Sequence, residues 1–174
     1  PPHSSETTMK TLARLALSAL LFLSLGSVAP TLRADDPQPN KFELPATDEG
    51  LPGAGPIRRY DWFKGLWQQR RSDWAKTIEA DQKAVVFLGD SITQGWGDDF
   101  SRRFPGMKIA NRGISGDTTR GMLIRMQADV LALNPSAVVM LMGTNDLEEG
   151  AEPEVIAGNF KLIVEALKKH NPKM

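Results

Sequence analysis

Apolar positions recur along this chain in more than one rhythm, and each rhythm predicts its own element. Phe63, Trp67, Trp74 and Ile78 follow helical spacing behind Asp61, a residue type suited to an N-cap. A helix with one aromatic stripe lying on a sheet is expected there. The tryptophans at 62, 67 and 74 read as one buried face; the other use of such residues would be a stacking platform for a sugar or lipid. Residues 84–88 (AVVFL) and 137–142 (AVVMLM) are short, Val-rich and apolar at every position. Such runs suit interior strands of a parallel sheet, and 107–110 is a weaker third strand.

Helical patterns separate these runs. Residues 119–133 follow Asp117 as a cap and stop at Asn134-Pro135, since the residue before a proline leaves the helical region. Residues 152–169 carry Pro153 in the first turn and Ile156, Phe160, Ile163, Val164 and Leu167 on one face. Lys168, Lys169 and His170 fill the last turn, where positive charge complements the helix dipole. The order helix-β-α-β-α-β-α predicts an open α/β parallel sheet with right-handed crossovers. Three strands are few for such a sheet, and 137–142 would sit at an exposed edge while looking interior. The expectation is therefore the N-terminal part of a larger domain, with its C-terminal strands missing from these residues.

The first third of the chain has a different character. In residues 9–34, Lys10 and Arg14 flank an apolar run at 15–25 that is too short to span a bilayer comfortably but fits a secretory signal. Cleavage after Ala29 or after Ala34 is compatible with the small residues nearby, and the residues before Met9 read as an over-extended frame. Residues 35–56 are rich in proline and poor in periodic apolar positions, so they read as a linker or arm. The expected organisation is 1–34 as extension and signal, 35–56 as linker, and 57–174 as the folded part. The product would be secreted or periplasmic, with no stable membrane anchor once the signal is removed.

Charge and composition narrow the chemistry. The chain of 174 residues has 21 Lys+Arg against 21 Asp+Glu, which disfavours a nucleic-acid binder that tracks phosphates. It has no Cys, which removes disulfide frameworks, Cys-rich zinc modules and thiol nucleophiles. His3 and His170 are its two histidines.

Ligands bind at the carboxyl ends of the strands in an open parallel sheet, and three loops belong there. They read Gly89-Asp90-Ser91-Ile92-Thr93, then 111–118 (NRGISGDT), then Gly143-Thr144-Asn145-Asp146. Acyl transfer needs a hydroxyl nucleophile and donors aimed at the oxygen that becomes negative. Ser91 on a strand-to-helix turn can present the hydroxyl. Gly116 lets a main-chain N–H approach closely, and Asn145 offers a carboxamide N–H that does not titrate. Asp90, Asp117 and Asp146 read as caps and loop braces.

FLGDSIT, NRGISGDT and GTND resemble the first three blocks of the SGNH, or GDSL, hydrolase superfamily. From Val85 to about Leu167 the chain is similar to platelet-activating-factor acetylhydrolase catalytic subunits and their bacterial relatives. The resemblance implies a flavodoxin-like, three-layer α/β fold with Ser91 as nucleophile. It also implies an oxyanion hole from the N–H groups of Ser91 and Gly116 and the Asn145 side chain. The implied activity is hydrolysis of small-molecule or carbohydrate esters, with short acyl groups, and with no metal or organic cofactor.

The family's late Asp-x-x-His block, which carries the general base, is absent from these 174 residues. His170 should lie at the far end of a helix about 25 Å long, and His3 lies in the extension. These residues alone should therefore be inactive. Two other uses of the fold remain: a non-catalytic module for an acylated carbohydrate or carboxylate, and a phosphate site at 113–119. The phosphate site lacks a G-x-x-x-x-G-K-[ST] pattern.

Overall fold

The computed structural model describes residues 42–100 and 102–174. The signal expected at 9–34, His3 and the start of the proline-rich segment lie outside the described residues. In chain order the elements are α1 (Asp61–Ala75), β1 (Val85–Gly89), α2 (Ser91–Gln94), β2 (Ile109–Gly113) and α3 (Thr119–Asp129). A 3-10 turn (Leu131–Leu133), β3 (Ala137–Leu141), α4 (Thr144–Glu148) and α5 (Pro153–His170) follow. The sheet is wholly parallel in the order β2-β1-β3, with Phe87 opposite both Asn111 and Val139. The α/β class and the parallel sheet expected from the sequence both stand.

Side chains alternate across a strand, so each strand has two fates. Val86, Leu88 and Ala110 point into a core closed by Met122 and Met126 of α3, Val130, Leu133, and Ile163 and Leu167 of α5. On the other face Phe87 meets an aromatic group from the segment after α2: Trp96, Phe100 and Phe104, with Phe87 and Phe100 edge-to-face at 5.1 Å.

Several expectations need correction. The second strand begins two residues later than expected and runs through Asn111 and Arg112, two polar residues that read as loop. Both are buried because partners elsewhere satisfy them: Asn111 Nδ2 donates to the carbonyls of Thr93 and Gly97, and Arg112 pairs with Asp81 at 2.7 Å. The helix expected over 119–133 ends at Asp129 and passes into the 3-10 turn, with Asn134 left-handed at φ +47°. Tyr60 rather than Asp61 is the N-cap of α1, and Thr118 rather than Asp117 caps α3, accepting from Gly121 N at 3.2 Å.

The aromatic stripe of α1 meets the sheet only at its edge, through Trp74 against Arg112 of β2. Phe63, Trp67 and Trp74 form a second cluster with Ile114 from the loop after β2. Trp62 is out of phase with that stripe and is 55% exposed. Between α1, α3 and β2 lies a layer of buried charge. Arg71 pairs with Asp129 at 2.8 Å and Arg125 with Asp117 at 2.8 Å, while Trp67 and Trp74 lie against the guanidinium groups.

Residues 42–56 form no helix or strand, yet they are tied down through their backbone. Arg120 Nη1 donates to the Gly55 carbonyl at 2.9 Å and pairs with Asp48. Asn159 of α5 exchanges two hydrogen bonds with Ala54, at 3.1 and 2.9 Å.

Candidate active site

Each strand ends in a loop whose sequence sets its geometry, and hydrogen bonds join the three loops in series. β1 stops at Gly89, and Asp90 turns its carboxylate back to accept Ile92 N at 2.9 Å, as an N-cap does. Asp90 is thereby spent as a brace, as the sequence suggests. Ser91 opens α2 and is exposed.

The second loop folds onto the first. Ile114 N donates to the Gly89 carbonyl at 3.1 Å, and Ser115 N donates to Gln94 Oε1 at 2.6 Å. A Cβ at Gly113 would stand 2.3 Å from Gln94 N, so this crossing requires glycine. Gly116 is buried and left-handed at φ +85°, which re-aims the chain toward Asp117 and α3.

The third loop is pinned to the second. Asn145, buried in α4, donates from Nδ2 to the Asp117 carbonyl at 2.8 Å. One amide hydrogen is used there, and the carboxamide plane is fixed; no other described residue takes the second hydrogen. Asp146 accepts from Thr119 N at 2.9 Å and from Thr119 Oγ1 at 2.5 Å, and Asn159 Nδ2 donates to the same hydroxyl at 2.8 Å. Ser91, Gly116 and Asn145 thus belong to one continuous rim at the carboxyl ends of β1, β2 and β3.

Asp117 sits beneath this rim. It is fully buried with Arg125, whose Nη2 also donates to the Arg112 carbonyl at 2.8 Å. Burial pushes the Asp117 carboxyl up to about 6, because loss of solvent outweighs the pull of Arg125. Asp117 Oδ1, Arg125 Nη1 and Trp67 Nε1 have no hydrogen-bond partner in this layer. Asp117 is a brace that holds the loop carrying Gly116.

Arg112 and Arg120, the arginines in or next to these loops in sequence, are committed elsewhere. Arg112 faces Asp81 and the Asp129 carbonyl, and Arg120 faces Asp48 and the arm. His170 Nε2 lies 3.2 Å from Asn134 Oδ1, just before β3 starts, so it stands at the opposite end of the sheet from Ser91. Among the described residues, no histidine is near Ser91. Cavities of about 280 and 250 Å³ are lined by Trp74 and Arg112, and one of about 410 Å³ by Leu44, Arg59 and Lys64.

Two residues stand beside the rim that the sequence does not assign to it: Arg58, and Trp62, one of the three tryptophans whose other use is a stacking platform. A Cβ on Gly116 would meet Trp62 Cη2 at 2.6 Å and Arg58 Nη1 at 3.2 Å. The available signal was phase: Trp62 is one residue off the stripe that buries Phe63, Trp67 and Trp74.

The model of the GDSL-like lipase/acylhydrolase family matches residues 87–174, a span that contains all three loops. The chain belongs to the GDSL-like lipase/acylhydrolase family. Within that family it is similar to platelet-activating factor acetylhydrolase IB subunit alpha2 of Homo sapiens, 30% identical over 114 residues that cover 62% of this chain and 47% of that protein. An arylesterase of Vibrio mimicus is 28% identical over 102 residues, covering 52% of this chain and 50% of its own. The crystal structure of a GDSL-like lipase from Bacteroides thetaiotaomicron superposes with a TM-score of 0.51 at 32% identity, covering 57% of this chain and 53% of that one. The chain spans about half the length of the curated relatives it matches.

Proposed function

We propose that this chain carries the nucleophile and the oxyanion donors of an exported serine esterase acting on carboxylic esters with short acyl groups. The observation that carries this reading is the serial locking of the three loops, Gln94 to Ser115 and Asn145 to Asp117, at one edge of the sheet. The esterase and acetylhydrolase relatives support the ester class.

In the proposed reaction a general base takes the proton from Ser91, and Oγ attacks the ester carbonyl carbon. The carbonyl oxygen becomes negative and is met by the N–H groups of Ser91 and Gly116 and by the Asn145 carboxamide. Removing one such donor raises a barrier of this kind by about 3–4 kcal/mol. Collapse of the tetrahedral intermediate expels the alcohol with a proton and leaves acyl-Ser91. Water then attacks the acyl carbon, again through a base, and releases the acid and free Ser91. Among the described residues no histidine lies near Ser91, so the proposed reaction calls for a general base from outside them.

Two assays of p-nitrophenyl acetate hydrolysis test this. The 174-residue chain should turn over little above background; brisk Ser91-dependent turnover overturns the need for an outside base. A chain continuing through an Asp-x-x-His block should be active and lose that activity in Ser91→Ala. Retained activity removes Ser91 from its role.

A further inference from the structure

We infer that Trp62 and Arg58, both from the segment before the matched region, form the subsite for the alcohol part of the ester, and that this part is an uncharged pyranose ring.

The two side chains converge on Gly116. Trp62 Cη2 and Arg58 Nη1 occupy the space where a Cβ of residue 116 would be, so each borders the main chain that carries a proposed oxyanion donor. Trp62 is 55% exposed and stacks on Tyr60 with ring centroids 6.2 Å apart and planes 15° apart. Its inner side rests edge-to-face on buried Phe63 at 5.7 Å, which fixes the indole on the body of the protein. An exposed aromatic surface held this way offers a flat apolar area beside a polar rim.

Arg58 supplies the polar half. Its side chain is 8% exposed, with Nε on Glu149 at 2.7 Å and Nη2 on Glu148. Those contacts fix the guanidinium plane and leave Nη1 aimed at Gly116, ready to donate to a neutral oxygen. The Tyr60 hydroxyl reaches Glu149 at 3.4 Å. Two carboxylates against one guanidinium give this corner no positive excess, which disfavours a phosphate or other anionic alcohol. Carboxylates accept hydroxyl protons, Nη1 donates to a hydroxyl or ring oxygen, and the indole covers the C–H face of a sugar. A saturated acyl chain would use the indole and leave the polar groups facing apolar surface.

The subsite rests on the esterase reading of Ser91, and the test separates the two. Backbone and indole NMR signals of the 174-residue chain are followed with three amides that cannot turn over as esters: N-ethylacetamide, acetanilide, and the methyl glycoside of N-acetyl-β-D-glucosamine. The sugar should bind about tenfold more tightly than N-ethylacetamide. It should move the Trp62 indole together with the amides of Ser91 and Gly116. Trp62→Ala should remove that advantage and leave N-ethylacetamide unchanged. Trp62→Phe should restore part of it, and Arg58→Met should weaken the sugar alone. Acetanilide matching the sugar overturns the pyranose assignment. A sugar advantage that survives Trp62→Ala overturns the subsite. If N-ethylacetamide moves Ser91 and Gly116 while the sugar binds no better, the esterase reading stands and the subsite falls. Sugar shifts confined to Trp62, with Ser91 and Gly116 silent, overturn the Ser91 reading and the subsite's part in it.

Discussion

Leu88 and Val139 stand on neighbouring strands one residue apart in register, yet Leu88 is fully buried and Val139 is 47% exposed. Both come from Val-rich runs with no polar interruption. The difference lies in what crosses each face. α3 and α5 close the side of Leu88, and beneath the second loop that side continues into the paired charges of Arg71, Arg125, Asp117 and Asp129. The side of Val139 has an aromatic group over β1 only, while Val139, Leu141 and Ile92 stay half open. The covered side holds Gly116 and Asn145 in place, and Ser91 projects from the rim above it.

The sharpest way to break this contrast is to strip charge from the covered side. Arg125→Leu leaves Asp117 buried without its counter-ion and should cost about 3–5 kcal/mol in urea unfolding. A loss under about 1 kcal/mol would mean the layer is not rigid. Next in size is a matched pair of truncations. Leu88→Ala should cost about 2–5 kcal/mol, and Val139→Ala less than about 1 kcal/mol. Equal losses would erase the distinction between the faces.

Titration sharpens it further. Asp117 holds its proton more strongly in the folded chain, about 6 against the ordinary 3.8. Its contribution is therefore full below about pH 4 and is lost as pH rises through about 6. The loss should be on the order of 2 kcal/mol. Unfolding free energies measured from pH 4 to 7 should show wild type losing stability relative to Asp117→Asn across that window. A gain would reverse the sign of the burial effect. A further effect is expected at the rim: Gly116→Ala meets a left-handed backbone and the Trp62 ring. It should cost about 1–2 kcal/mol in unfolding and shift the Trp62 fluorescence.

Much of this contrast could be read in the chain. The runs at 84–88 and 137–142 marked two strands, the edge place of the second followed from its order, and Pro153 marked the start of α5. The three loop motifs marked the rim because each follows a strand. Other features depend on partners far away in sequence. Asn111 and Arg112 look like loop residues until Asp81 and the Thr93 carbonyl are beside them. Asp117 looks like a cap for α3, and eight residues on, Arg125 takes its carboxylate into the interior instead. The arm at 42–56 has little to bury, and what fixes it are side chains of Arg120 and Asn159 reaching its carbonyls. Trp62 differs from Trp67 and Trp74 only in helical phase, and treating the three as one face hid it.

Titration of the 174-residue chain with dimethylphosphinate, a small tetrahedral anion, bears most directly on the rim. The amide signals of Ser91 and Gly116 and the side-chain amide of Asn145 should move along one isotherm with a single dissociation constant, and Ser91→Ala should leave the Gly116 and Asn145 shifts largely in place. Three separate isotherms, or no response from two of the three groups, would contradict a shared oxyanion site.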